Sequence, residues 1–146
     1  MIALIQRVTQ AHVEVGGASV GAIDRGLLVL VCAEPDDGPA QVAKLVDKLL
    51  GLRIFADAAG KMNLSLQDVQ GGLLIVSQFT LAADTRRGNR PGFSGAAPAE
   101  QGRQIYEETL RVARARHAPV AAGVFGAEMQ VHLVNDGPVT IPLTLR

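Results

Sequence analysis

The first third of the chain alternates or clusters hydrophobic residues in patterns that predict strands. Residues 2–8 and 11–15 predict two strands, and Gly16-Gly17 predicts a tight turn into a third strand at 18–23. Residues 26–31 are apolar almost without interruption, as in a strand that is covered on both faces. We therefore expect the N-terminal part of the chain to form a sheet.

Helical periodicity follows this apolar run. Asp36-Asp37 and then Pro39 predict the start of a helix. Apolar residues then recur at the spacing of one buried helix face, at Val42, Leu45, Val46, Leu49 and Leu50. We predict a second helix from Glu100 to Arg116.

The remaining apolar segments are short and are separated by polar residues. Strands are predicted at 53–55, 73–81, 129–134 and 139–145, and a long polar loop is predicted at 84–98. Strands thus outnumber helices, and only two helices are predicted. This order predicts an α+β fold with a largely antiparallel sheet.

Length and composition fit one globular domain over residues 1–146, with 48% hydrophobic residues. The single Cys32 excludes an internal disulfide framework. The longest apolar stretch, Leu27–Ala33, is far shorter than the roughly 20 residues that span a bilayer. The N-terminus does not resemble a signal peptide. We therefore expect a cytoplasmic protein with no membrane partner.

The formal net charge is zero, but basic residues concentrate in the C-terminal half of the chain. Most of them are Arg86, Arg87, Arg90, Arg103, Arg111, Arg114 and Arg116, and none is a lysine. Two interpretations fit this distribution. The arginines belong to a solvated loop and a solvated helix face, or they contact nucleic-acid phosphates locally. Aromatic residues make up only 3% of the chain, which disfavours a single-strand binder that stacks bases on aromatic platforms.

The common catalytic signatures are absent from the sequence. No G-x-S-x-G, H-E-x-x-H, P-loop or G-x-G-x-x-G occurs, which argues against nucleotide hydrolysis and dinucleotide redox chemistry. The three histidines, His12, His117 and His132, lie in no such motif. We therefore interpret them as structural or surface residues.

Two polar segments stand out from the predicted scaffold. The apolar strand at Leu73–Val76 continues into Ser77-Gln78-Phe79-Thr80-Leu81, where strand alternation would place Gln78 and Thr80 on one face. A strand that frays into a loop is the simpler explanation. The second segment, Asn135-Asp136-Gly137-Pro138-Val139-Thr140, has the composition of a plain turn.

Taken together, these two segments resemble the signature motifs of the bacterial and eukaryotic D-aminoacyl-tRNA deacylases, the D-tyrosyl-tRNA(Tyr) deacylase family. The likeness runs the length of the chain and includes Ile5–Val8, Arg53 to Leu64, Ala83 to Pro91 and Phe125–Val131. It implies a barrel-like core, a homodimer, and hydrolysis of the ester that joins a D-amino acid to the 3′ adenosine of tRNA. It also implies action on glycyl-tRNA, and it implies no metal or organic cofactor.

The resemblance assigns a role to each motif. In the family the Gly-Pro peptide is cis and reaches into the partner subunit's pocket, so Gly137 and Pro138 would hold the substrate ammonium and exclude an L side chain. The backbone N–H groups of Phe79 and Thr80 would stabilise the oxyanion. Gln78 and Ser77 would position the adenosine and the ester. A nucleophilic Thr80 hydroxyl is the alternative, disfavoured because no base is evident beside it in the sequence.

Phe125 and Met129 match residues that line the family's adenosine pocket, although core packing explains them nearly as well. Gly102 departs from the pattern, because relatives often have Ala there, and Val124 and Cys32 are also atypical. Two other functions stay open at this point. One is a related editing deacylase that acts on mischarged L-aminoacyl-tRNA, and the other is a non-catalytic RNA-binding module that uses the arginines.

Overall fold

The computed structural model describes all 146 residues, from Met1 to Arg146, and contains eight strands, three α-helices and one 3₁₀ helix. The strands are β1 (Ile2–Val15), β2 (Ala18–Ile23), β3 (Gly26–Cys32), β4 (Phe55–Ala56), β5 (Met62–Leu64), β6 (Gly72–Ser77), β7 (Val120–Ala122) and β8 (Gln130–Thr144). The helices are α1 (Pro39–Gly51), α2 (Leu66–Val69) and α3 (Ala99–Arg116), and the 3₁₀ helix is Phe79–Ala82. None of the helices is long and apolar enough to cross a membrane.

Strand β1 lies at the centre of the main sheet. One of its edges pairs with β3 along its first half and with β2 along its second half, and its other edge pairs with β8. All three pairings are antiparallel, but β6 runs parallel to both β3 and β7. The sheet is therefore mixed, and the prediction of a largely antiparallel sheet is wrong for this half. The reason is that helix-containing connections lead from β3 to β6 and from β6 to β7, and such crossovers produce parallel neighbours.

Both faces of the central strands are covered, as the apolar run predicted. Leu27 and Val29 of β3 belong to a cluster of 22 buried residues that also includes residues of α1 and α3. Leu28 belongs to a second cluster of seven buried residues on the opposite face. That face is enclosed because the sheet curves until its two end strands, β2 and β7, come into contact. They approach so closely that a Cβ on Gly21 would lie only 2.4 Å from the carbonyl oxygen of Ala122. The core is thus a nearly closed barrel, which confirms the barrel-like expectation.

The two predicted helices are confirmed, and a third is added. The five apolar residues of the predicted stripe in α1 are buried, and α3 begins one residue before the predicted Glu100. The missed helix α2 has a capping box: the Asp68 N–H donates to the Ser65 hydroxyl oxygen at 3.1 Å, and the Ser65 N–H donates to the Asp68 carboxylate at 2.8 Å. Its single turn is too short to show helical periodicity.

The predicted boundaries are wrong at four places. The strand predicted at 53–55 is β4, which covers Phe55–Ala56. Residues 2–8 and 11–15 belong to one continuous strand, β1. The strand predicted over 73–81 ends at Ser77 and gives way to the 3₁₀ helix, so strand alternation does not apply beyond that residue. The predicted turn at Asn135–Pro138 does not separate two strands but lies within β8.

The segment Asp136–Val139 protrudes from the β1–β8 ladder. Gln6 pairs with Thr140 and Val8 pairs with Asn135, so four residues of β8 have only one residue of β1 opposite them. An irregularity of this kind forces the longer strand to bulge out of the ladder. The turn-forming composition of this segment thus produces a bulge in place of a hairpin turn.

Tyr106 of α3 fastens that helix to the sheet. Its hydroxyl lies 2.9 Å from the carbonyl oxygen of Ile75 and 3.4 Å from that of Gly123. Burial raises the pKa of this phenol to about 12, because the charged phenolate loses its hydration. The neutral phenol is therefore the form that the fold stabilises.

This pKa predicts an alkaline limit to stability. The unfolded phenol has a pKa near 10, so the folded state holds the proton more tightly between about pH 10 and pH 12. The free energy of unfolding should fall across that window by up to about 3 kcal/mol through this one group. Chemical unfolding at several alkaline pH values would measure the fall. Tyr106→Phe should show a smaller decline than the unchanged protein, and identical slopes in the two proteins would contradict the assignment.

Candidate active site

A cleft of about 630 Å³ opens beside the end of β6. Its walls also include residues of β3, the segment before α3, the first turns of α3 and the segment between β7 and β8. Five of the eight predicted site residues line it: Ser77, Gln78, Phe79, Phe125 and Met129. Residues far apart in the sequence therefore converge on one concave surface, which is the usual form of a small-molecule or substrate site.

The motif Ser77–Leu81 forms the junction between β6 and the 3₁₀ helix at the edge of this cleft. The N–H of Gln78 donates to the carbonyl oxygen of Val31 at 2.7 Å, and the N–H of Leu81 donates to that of Gln78 at 3.2 Å. The N–H groups of Phe79 and Thr80 precede this first helical bond, and no side chain caps them. Such amides at a helix start are free to donate to a ligand.

Thr80 is not among the residues that line the cleft, although it directly follows Phe79, which does. Its hydroxyl accepts a short hydrogen bond from the Gln78 side-chain amide and has no histidine or carboxylate partner. An amide N–H cannot remove a proton from a hydroxyl. The geometry around Thr80 therefore lacks the base that an activated nucleophile needs.

Phe125 lies between the cleft and helix α3. Its ring centroid is 6.0 Å from that of Tyr106, and the Arg103 guanidinium lies 4.8 Å above the ring. A Cβ on Gly102 would approach the Phe125 ring at 3.7 Å, which is ordinary contact. An alanine would therefore fit at position 102, and glycine leaves the cleft wider by that methyl group.

Met129 and Phe125 serve the core as well as the cleft. Met129 packs against the seven-residue cluster inside the barrel, which we call the barrel cluster. Phe125 packs against the 22-residue cluster that includes residues of α1 and α3. Both side chains also line the cleft. The sequence interpretation treated core packing and pocket lining as alternatives. In the structure these two residues do both.

The titratable groups that line the cleft are the Met1 amine, the Cys32 thiol and the Tyr106 phenol. Burial raises the pKa of Cys32, and it raises that of Tyr106 to about 12, so both stay protonated at neutral pH. The Met1 ammonium donates hydrogen bonds to Glu34 and Asp37. Apart from this paired ammonium, the cleft offers neutral hydrogen-bonding groups, and no imidazole or carboxylate lines it for acid–base chemistry.

Gly137 and Pro138 lie outside this cleft, exposed on the bulge of β8. The peptide bond between them is cis, as the resemblance implied. Gly137 has a φ of +133°, and a Cβ there would lie 3.0 Å from the Arg7 guanidinium, so a side chain would be both strained and crowded. The chain thus displays this pair at its surface.

Arg7 anchors the bulge, a contact that local sequence patterns did not predict. Its Nε donates to the carbonyl oxygen of Asp136 at 3.0 Å, and its Nη1 donates to that of Ile54 at 2.7 Å. Asn135 braces the bulge from within, because its Oδ1 accepts from the Val139 N–H at 2.9 Å. These bonds hold the Gly137–Pro138 carbonyls in a fixed position relative to β1.

The chain is similar to known proteins over nearly its whole length. A family model described as D-Tyr-tRNA(Tyr) deacylase matches residues 4–144. A D-aminoacyl-tRNA deacylase from Methylibium petroleiphilum is 69% identical over 145 residues, which cover 99% of this chain and 95% of that protein. A D-aminoacyl-tRNA deacylase from Pseudomonas paraeruginosa is 64% identical over 143 residues, which cover 98% of this chain and 99% of that protein.

Among solved structures, this chain is similar to one titled c-Myc DNA Unwinding Element Binding Protein. The two share 44% sequence identity and superpose with a TM-score of 0.95. The match covers 100% of this chain and 99% of that chain.

Proposed function

The chain belongs to the D-Tyr-tRNA(Tyr) deacylase family, a family of hydrolases, and we propose that it acts as a homodimer that removes D-amino acids and glycine from tRNA. The reaction takes place in the cleft beside Ser77–Thr80. Gly137 and Pro138 of the partner subunit complete each cleft. The observation that supports this most directly is the placement of one motif in the cleft and the other on the surface, outside it.

The proposed chemistry is ester hydrolysis with backbone donors. Water attacks the carbonyl carbon of the aminoacyl ester, and the resulting oxyanion receives hydrogen bonds from the Phe79 and Thr80 N–H groups. Donors placed at a forming oxyanion contribute about 3–4 kcal/mol to transition-state stabilisation. The ester C–O bond then breaks, and the ribose oxygen takes up the proton that water releases. Gln78 and Ser77 position the adenosine and the ester.

Water activation in this proposal comes from the substrate. The residues that line the cleft supply no base at neutral pH, as the raised pKa values of Cys32 and Tyr106 indicate. The neighbouring ribose hydroxyl of the tRNA lies next to the ester in any substrate pose. It can relay the proton from water to the leaving oxygen.

Chiral selection follows from backbone geometry in the proposed dimer. The carbonyl groups of Gly137 and Pro138 accept hydrogen bonds from the substrate ammonium, a charge-assisted contact of roughly 1.5–3 kcal/mol. Because this backbone is held by Arg7 and Asn135, it cannot move aside for an L side chain. A D side chain points away from it, and glycine has no side chain to reject.

Exposed apolar side chains near the cleft support the homodimer. Phe79 is 56% exposed and Phe93 is 37% exposed, and their rings pack edge-to-face at 5.1 Å. Val134 on β8 is 47% exposed, close in sequence to the Gly137–Pro138 bulge. A second copy that inserts its bulge at the cleft would cover such residues, as subunit interfaces commonly do.

The first prediction from the proposed function concerns substrate handedness. The purified protein should release the amino acid from D-tyrosyl-tRNA and glycyl-tRNA, and it should spare L-tyrosyl-tRNA, because only the L side chain meets the Gly137–Pro138 backbone. Amino-acid release is measured for all three esters in the presence of a chelator. Equal loss of all three would eliminate the chiral filter but retain a deacylase. Binding without release would favour the RNA-binding alternative.

The second prediction separates the Thr80 backbone from its hydroxyl. Thr80→Ala and Thr80→Val keep the amide and should retain substantial deacylation of D-tyrosyl-tRNA. Thr80→Pro lacks the amide N–H and should slow the reaction roughly 10²- to 10³-fold. Circular dichroism and native mass measurements check the fold and the oligomeric state. A complete loss in both Thr80→Ala and Thr80→Val, with fold and dimer intact, would assign the chemistry to the hydroxyl.

The third prediction tests whether the two motifs meet across subunits. Thr80→Pro damages the cleft, and Gly137→Val damages the bulge, because a branched side chain there is strained and crowds Arg7. Each variant alone should be nearly inactive. After the two are unfolded and refolded together, mixed dimers have one intact cleft facing one intact bulge, which predicts recovery of about one quarter of the activity of the unchanged protein.

The control for this experiment is each variant refolded alone. Neither should regain activity, because every cleft then faces a damaged partner or is itself damaged. If the mixture is as inactive as the separate variants, although mixed dimers are detected by mass, Gly137 does not act in the partner's cleft.

A further inference from the structure

A second group of chemically active side chains lies on strands β1 and β8, outside the cleft. His12 and His132 stand directly opposite each other in the antiparallel ladder. Their rings are stacked, with centroids 4.2 Å apart and an angle of 7° between the planes. Glu14 follows two residues after His12 on β1 and therefore lies on the same face of the sheet.

These three side chains face outward from the barrel. Ala11 and Val13, their neighbours on β1, are buried in the barrel cluster, whereas His12, Glu14 and His132 have between 33% and 49% of their side-chain surface exposed. In the single chain the group is therefore accessible to ions in solution. It is also held in place by the continuous pairing on both sides of the His12–His132 position.

The potential ligand atoms already converge. Glu14 Oε1 is 3.1 Å from His12 Nε2, and Glu14 Oε2 is 3.4 Å from His132 Nε2. One ligand atom from each residue lies within 4.8 Å of the other two. A tetrahedral ion with bonds of about 2.0–2.2 Å separates neighbouring ligand atoms by roughly 3.3–3.5 Å. The distances between the Glu14 oxygens and the two Nε2 atoms are already close to this spacing. Because an ion lies in the plane of each imidazole that binds it, the two stacked rings must turn out of their parallel arrangement to bind one ion.

We propose that His12, Glu14 and His132 form a binding site for one divalent transition-metal ion. Two imidazoles and a carboxylate favour Zn²⁺, Cu²⁺, Ni²⁺ or Co²⁺ over Mg²⁺ and Ca²⁺, which prefer oxygen ligands. Three protein ligands leave at least one coordination position for water. The ion would link β1 to β8 at His132, which shortly precedes the Gly137–Pro138 bulge along β8.

The proposed ion is separate from the reaction in the cleft. Val131, next to His132 on β8, lines the cleft, and alternation along the strand directs His132 to the opposite face. The ion therefore does not touch a substrate in the cleft. The ion would instead stabilise β8, which has the cleft on one face and the proposed metal site on the other.

Direct binding to the untagged, chelator-treated full chain tests this proposal. Calorimetric titration with Zn²⁺ should show one saturable site per chain, and Zn²⁺ should raise the midpoint of thermal unfolding, because an ion that binds only the folded state stabilises it. Mg²⁺ should do neither. Absence of saturable Zn²⁺ binding, or equal binding of Mg²⁺, would overturn the proposal.

Variants locate the site. His132→Gln and Glu14→Gln should each weaken Zn²⁺ binding by more than about 10-fold, because each removes a ligand. Gln130→Ala provides the matched control, since Gln130 is exposed and pairs with Glu14 in the ladder but is not among the ligands. It should bind Zn²⁺ as tightly as the unchanged chain. Unaltered affinity in both ligand variants would overturn the assignment.

Imidazole NMR spectra give a test that needs no substitution. The chain has three histidines, and the ring signals of His12 and His132 should shift on addition of Zn²⁺. The signals of His117 should not shift, because its Nε2 lies 2.7 Å from the Gly71 carbonyl oxygen, away from the group. A shift of His117 alone, or of no histidine, would contradict the site.

Discussion

The antiparallel pairing of β1 with β8 is the constraint on which the rest of the structure depends. These are the two longest strands, and β1 also pairs with β2 and β3 along its other edge. The ladder is interrupted where Asp136–Val139 bulge out. Because the pairing resumes on both sides, the bulge cannot relax into the sheet. A segment that would be a mobile turn in isolation is therefore held as a rigid projection.

Two backbone anchors connect the functional motifs to neighbouring strands. Arg7 on β1 holds the carbonyl oxygen of Asp136, and the carbonyl oxygen of Val31 on β3 accepts from the N–H of Gln78. Strands β1 and β3 are themselves paired through seven residue positions. Both motifs are thus attached to the same rigid pair of strands. The donors and acceptors of the proposed reaction are positioned by this scaffold before any substrate arrives.

Local sequence patterns predicted the long buried elements, missed the short elements β5, α2 and β7, and did not predict how the strands pair. The stripe from Val42 to Leu50 and the apolar run at 26–31 report burial directly, so α1 and β3 were predicted correctly. Whether β6 runs parallel to β3 depends on how the chain returns through a helix, which no local pattern records. The same limit applies to the bulge: turn residues mark Asn135–Pro138 in either case, and only the pairing with β1 distinguishes a bulge from a hairpin.

In the candidate site, too, some residues were predicted from the sequence and others were revealed only by the pairing of distant strands. Ser77, Gln78, Phe79, Phe125 and Met129 were selected through motifs that resemble a known family, and the structure brings them into one cleft. Neither Arg7 as an anchor nor the group His12, Glu14 and His132 was predicted from the sequence. His132 lies about 120 positions along the chain from His12 and Glu14, so the three come together only after β1 and β8 have paired.

The composition of the cleft bears on why a dimer suits the proposed function. Because no imidazole or carboxylate lines the cleft, selection in the proposed reaction depends on the shape of the site and on the placement of fixed dipoles. Amide donors at Phe79 and Thr80 and carbonyl acceptors at Gly137 and Pro138 must then face each other across the substrate. Within one chain they do not share a cleft. In the proposed homodimer a two-fold axis would resolve this, because an isologous interface would present each projecting bulge to the other subunit's cleft.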